Sequence, residues 1–131
     1  MIGLDTNILV RYFTHDQPAQ TTLVLEVMDS LTPAKPGFIS LLVLVELVWV
    51  LERFFRTTRL EVAQTLETLM RSKEIVVERT EIAWQALRTF QASNRGFADC
   101  LIERCGRAAG CEYTLTFDQR ASKTTGMRLL R

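Results

Sequence analysis

Along Leu41–Leu51 the apolar side chains follow one another almost without a break, as Leu-Leu-Val-Leu-Val-Glu-Leu-Val-Trp-Val-Leu. Glu46 is the single charge inside the run. Read as a helix, the stretch is apolar nearly all round and is expected to be buried. A carboxylate in such surroundings needs a proton, a cation or a metal ion. No Lys or Arg lies within one helical turn of Glu46. Its partner is therefore expected from elsewhere in the chain or from solution.

The same pattern of apolar and polar positions lays out the rest of the chain. Ile2-Gly3-Leu4 predicts a short strand ending at Asp5, and Thr6 or Asn7 caps a helix through Ile8, Leu9, Val10 and Phe13. Pro18 opens a second helix that runs to Leu31. Pro33, Pro36 and Gly37 break the chain. Phe38-Ile39 predicts a strand, and Ser40 caps the Glu46 helix, which lasts to about Phe55. Thr58 caps the next helix, where Leu60, Ala63, Leu66, Leu69 and Met70 recur at helical spacing. Ile75-Val76-Val77 is β-branched and reads as a strand. Thr80 caps a helix with Ala83, Ala86, Leu87 and Phe90 on its apolar face. A further helix runs from Phe97 through Leu101, Ile102 and Cys105 to Ala109, and Gly110 ends it. Tyr113–Thr116 is a strand ending near Asp118, Gln119–Lys123 a short helix or turn, and Met127–Leu130 the last strand. This alternation predicts the α/β class: one domain over residues 1–131, with a mostly parallel central sheet flanked by helices on both faces. In such sheets, sites form beyond the carboxyl ends of the strands.

Composition narrows the chemistry. A chain of 131 residues, 47% hydrophobic and 24% charged, has the balance of an ordinary globular domain with a real core. The net charge of +1 carries no global signature of a nucleic-acid binder, although the cations are mostly Arg, which suits phosphate. The three cysteines, Cys100, Cys105 and Cys111, form no CxxC pair. That argues against a disulfide framework or a cysteine zinc site and for a reduced, cytoplasmic protein. The one histidine, His15, makes zinc–histidine chemistry and histidine acid–base catalysis poor expectations. The Leu41–Leu51 run is too short to span a bilayer. Trp49, Phe54, Phe55 and Trp84 are expected in the core, and the cysteines in or near it.

Four acids stand apart from solvated ones such as Glu61, Glu67, Glu81 and Glu112. Asp5 and Asp118 each follow a strand, Asp99 lies in the first turn of an apolar helix, and Glu46 sits in the apolar run. Singly, each has a bland reading: a turn cap for Asp5 or Asp118, a complement to the helix dipole for Asp99, a salt bridge for Glu46. Jointly, the predicted fold would gather them at one sheet edge. Carboxylates so gathered repel one another unless a multivalent cation sits among them. An all-oxygen ligand set favours Mg²⁺ or Mn²⁺, and such ions suit phosphate-ester chemistry.

Four motifs then bring a family into view. Asp5-Thr6-Asn7 after a first strand, Val45-Glu46-Leu47, Phe97-Ala98-Asp99-Cys100-Leu101-Ile102 and Thr116-Phe117-Asp118 together resemble the PIN domain, and more narrowly the toxin subunits of VapBC toxin–antitoxin pairs. The resemblance implies a Mg²⁺- or Mn²⁺-dependent endoribonuclease. Asp5 and Asp99 would be the principal metal ligands, and Glu46 and Asp118 would complete the acidic pocket. Asn7 and Thr116 would orient these acids. It also implies an antitoxin that blocks the site, and a toxin homodimer. Arg11, Arg95 and Arg120 are candidates for contact with RNA phosphates by their closeness in sequence to the acids. Two other readings compete: a phosphoryl-accepting α/β module with Asp5 or Asp118 as acceptor, and a non-catalytic interaction module.

Overall fold

The computed structural model describes residues 1–123 and 126–131. They form two compact units, Met1–Thr80 and Glu81–Arg131.

The first unit is built on three short parallel strands, β1 (Ile2–Gly3), β2 (Gly37–Ile39) and β3 (Ile75–Val77), in that order across the sheet. Helices α1 (Thr6–Thr14) and α2 (Pro18–Ser30) connect β1 to β2, and α3 (Leu41–Phe55) and α4 (Arg59–Arg71) connect β2 to β3. Parallel strands demand such crossovers, and helices supply them. Leu9, Ile39, Leu44, Leu47, Val62 and Leu66 are fully buried and make its core. Thr58 caps α4 as expected, in a capping box with Glu61. The Thr58 amide, then its hydroxyl, holds the Glu61 carboxyl below its usual range.

The second unit holds α5 (Thr80–Gln91, which opens at the boundary), α6 (Phe97–Ala108) and a two-stranded parallel ribbon. The ribbon pairs β4 (Thr114–Thr116) with β5 (Met127–Leu129). A 3₁₀ turn at Ala121–Lys123 lies between them. Leu87, Phe90, Phe97 and Cys100 are buried, and the rings of Phe90 and Phe97 meet edge to face. Gly110, with φ +98°, follows the end of α6.

All the described pairings are parallel, and strands alternate with helices as the sequence pattern predicts. Three expectations are corrected. Asp5, rather than Thr6 or Asn7, caps α1, because its carboxylate accepts from the Thr6 amide at 2.8 Å. The α3 helix is not buried all round. Its buried positions Leu44, Leu47, Val48 and Leu51 form one stripe, while Leu42, Trp49 and Phe54 are exposed. Trp49 and Phe54 therefore lie outside the core, against each other at 5.5 Å. Cys100 is buried, Cys105 is half-buried, and Cys111 is exposed rather than near-core.

Candidate active site

In the first unit, the loops leaving β1 and β2 lead straight into α1 and α3. Each helix start carries four orphan amides that need acceptors. Asp5 satisfies one at α1. At α3, Ser40 Oγ accepts from the Val43 amide at 3.1 Å, and Glu78 Oε1 at the end of β3 accepts from the Leu41 amide at 2.9 Å. These caps fix where the second turn of α3 presents Glu46.

Glu46 is exposed, so the premise that it is a buried acid fails. The period of the buried stripe explains why: positions 44, 47, 48 and 51 turn inward, and position 46 turns away from them. Its partner is a hydroxyl. The buried Thr6 donates its side-chain O–H to Glu46 Oε1 at 2.5 Å. One residue thus serves two carboxylates, giving its amide to Asp5 and its hydroxyl to Glu46. This brings Asp5 and Glu46 to one corner of the unit, where α1 packs on α3. Sequence reasoning read Thr6 only as a cap. Asn7, by contrast, lines an open groove of about 260 Å³ between α1 and α2, with Ile8, Arg11, Gln20, Leu23 and Val24. Arg11 is engaged there, with Nε donating to Gln20 at 2.8 Å and Nη1 3.4 Å from Asp16.

In the second unit, Asp99 is half-buried in the first turn of α6. The residue before that helix is Gly96, which has no side chain with which to cap it. A Cβ there would stand 3.7 Å from Asp99 Oδ2, so the carboxylate lies back over the positive end of the helix. Asp118 is exposed. Its Oδ1 accepts from the amides of Arg120 at 2.8 Å and Ala121 at 3.3 Å, and so caps the 3₁₀ turn. Its own amide donates to Thr116 Oγ1 at 3.0 Å, which gives Thr116 a part in orienting it. Arg120 is exposed, whereas Arg95 is buried at 2% exposure and cannot meet a phosphate where it stands.

Sequence reasoning also missed the one acid buried among the described residues. Glu103, on α6, is 2% exposed. Its carboxylate lies 2.7 Å from Arg107 Nη2 and 3.3 Å from Arg104 Nε. The signal was present, because Asp99, Glu103 and Arg107 recur at i, i+4 and i+8 and so share one face of the helix.

The donors of the four proposed residues are all carboxylate oxygens, a set that suits a hard divalent cation. Among the described residues, no group of three or more His, Cys, Asp and Glu side chains is set to hold an ion. None of the helices among them is long and apolar enough to cross a membrane.

An α/β chain with parallel strands, acids at the exits of β1 and β4, and acids on α3 and in the first turn of α6 has the organisation of a known family. Residues 2–127 match the PIN domain, and the chain belongs to that family. It is similar to the VapC ribonuclease of Aquifex aeolicus (strain VF5), with 22% identity over 120 residues, spanning 92% of this chain and 89% of that protein.

Proposed function

We propose that the chain is a divalent-metal-dependent endoribonuclease, the toxin of a toxin–antitoxin pair, with residues 1–131 acting as one PIN domain. The observation that carries this reading is the Thr6 clamp. A buried hydroxyl and its amide hold two exposed carboxylates, Asp5 at the start of α1 and Glu46 in the second turn of α3. Membership of the PIN family and similarity to a VapC ribonuclease point the same way.

Asp5, Glu46, Asp99 and Asp118 would hold Mg²⁺ or Mn²⁺. When bound, the ion would lower the pKa of a water and offset charge on the phosphoryl oxygens. Asp5 and Asp99 would serve as its principal ligands. Glu46, oriented by Thr6, and Asp118, oriented by Thr116, would complete the set, and one of these two carboxylates would take the proton of the attacking water. Arg120 lies beside Asp118 in the chain and is exposed, so it is the cation best placed among the candidates to meet a substrate phosphate. Single-stranded or looped RNA suits such a surface, because its bases are free of a stack.

Exposed Leu42, Trp49, Phe54 and Leu60 on α3 and α4 are apolar side chains left in water, which favours a protein partner for the first unit. An antitoxin and a second copy of the chain are the partners this reading assigns.

The test is cleavage of a structured RNA by purified protein in Mn²⁺ or Mg²⁺, with and without excess EDTA, alongside Asp5→Asn and Asp99→Asn. The reading expects EDTA to abolish cleavage and each variant to lose at least about 100-fold, as removal of a metal ligand does. Full cleavage in EDTA, or by either variant, would refute it.

A further inference from the structure

We infer that Glu103 is a positioning residue for the two acids of the second unit. It locks α6 onto the β4–β5 ribbon and so sets Asp99 relative to Asp118. The inference rests on the nuclease reading and adds to it a residue that is not itself a ligand.

Three observations carry it. Glu103 is the sole buried acid among the described residues, and its charge is balanced by Arg107 and Arg104. A buried carboxylate is retained at a cost, and breaking its pairing strongly destabilises a fold. The ribbon is also shaped to receive it. A Cβ on Gly126 would fall 1.8 Å from Glu103 Oε1 and 2.5 Å from its Cδ, so only glycine lets the ribbon close over this side chain. Gly126 also takes φ +97°, which other residues rarely adopt, and its carbonyl accepts from the Thr114 amide at 2.7 Å where β4 and β5 begin. One turn along α6, a Cβ on Gly106 would stand 2.8 Å from Thr114 Oγ1. The helix and the ribbon therefore touch at two glycine contacts, and the charged side chain lies between them.

The consequence runs along both elements. Asp99 is one turn before Glu103 on the same face of α6, and Asp118 leaves the far end of β4. Because the helix meets the start of the ribbon there, the two elements cannot slide past one another without breaking the Glu103 contact. The two arginines also neutralise Glu103. Glu103 therefore adds no uncompensated negative charge one turn from Asp99.

The experiment compares the full chain with Glu103→Gln, which keeps shape and loses charge, and with the double replacement Glu103→Met, Arg107→Leu. Arg107 is exposed, so replacing it together with the buried carboxylate leaves no buried charge without a partner, and the second protein guards against simple unfolding. Three quantities are measured: the urea midpoint, Mn²⁺ affinity by calorimetry, and RNA cleavage across a Mn²⁺ titration. The proposal expects folded variants whose Mn²⁺ affinity and cleavage at sub-saturating metal both fall about 10- to 100-fold, with partial recovery at high Mn²⁺. If the variants lose stability but keep wild-type Mn²⁺ affinity and cleavage per folded molecule, Glu103 is only structural and the proposal is overturned while the nuclease reading stands. If the wild type neither binds Mn²⁺ nor cuts RNA, the nuclease reading itself has failed and takes this role with it.

Discussion

Replacing Thr6 by valine isolates the hydroxyl that supports Glu46. Valine keeps the size and the β-branch, and its amide still donates to Asp5, so the cap of α1 survives. What disappears is one O–H aimed at a carboxylate. Hydrogen bonds to charged groups contribute roughly 1.5–3 kcal/mol when both partners are shielded. Here Glu46 is exposed and regains a water, so the stability loss should be about 1 kcal/mol. In urea that is a midpoint shift of about 0.5 M, taking a slope near 2 kcal/mol/M. Thr6→Ser is the control: it keeps the hydroxyl and deletes a buried methyl, for a similar loss of about 1 kcal/mol. Stability therefore does not separate the two variants, but catalysis should. Valine frees the Glu46 carboxylate to rotate and should lower cleavage about tenfold or more, with a raised Mn²⁺ half-saturation. Serine should stay near wild type. Equal activity in the two variants, at every Mn²⁺ concentration, would refute the view that Thr6 organises the site.

Other perturbations test the frame that holds it. Thr58→Ala should destabilise the chain by about 1 kcal/mol through loss of the α4 cap. Because the folded state holds Glu61 below its usual value of 4.5, that acid adds stability above this pH and loses it as pH falls through the folded value; Thr58→Ala should flatten this acid limb in urea titrations at stepped pH. On α3, Leu47→Ala should cost about 2–5 kcal/mol, whereas Trp49→Ala should cost less than about 1.5 kcal/mol, since only an exposed ring pair is lost. Equal losses by chemical denaturation would contradict the single buried stripe. Gly126→Ala should be strongly destabilising, and Glu103→Ala should relieve part of the damage, with a coupling of about 1–3 kcal/mol in a double-mutant cycle; strictly additive effects would mean that the two residues do not meet.

Local signals carried most of the architecture. Ser40 and Thr58 were legible as caps because hydroxyl residues before apolar periodic runs do that work, and both do so here. The strands at Phe38–Ile39 and Ile75–Val77 were legible from β-branched and aromatic runs between breakers. Burial was harder. The run around Glu46 looked uniformly apolar, yet a helix buries only the face that finds a neighbour, and four positions of α3 do so. The same blindness hid Glu103. Flanked by Arg104 and Arg107, it reads as one charge in a solvated helix, until Gly126, more than 20 positions further on, closes over it. The double use of Thr6 was invisible for the same reason, because its second partner is 40 residues away.

The parallel ladder of the first unit carries a consequence for how the chain reaches its native state. Ile2 pairs with Gly37, and Gly37 in turn with Ile75, so each rung closes a loop of roughly 35 residues before any strand hydrogen bond can form. Helices α1 to α4 are therefore expected to gather first, with the sheet the last part of that unit to lock. Until it does, both edges of β2 and the edges of β1 and β3 that will face it stay open, and refolding at high protein concentration should lose yield to aggregation even where the finished molecule is stable.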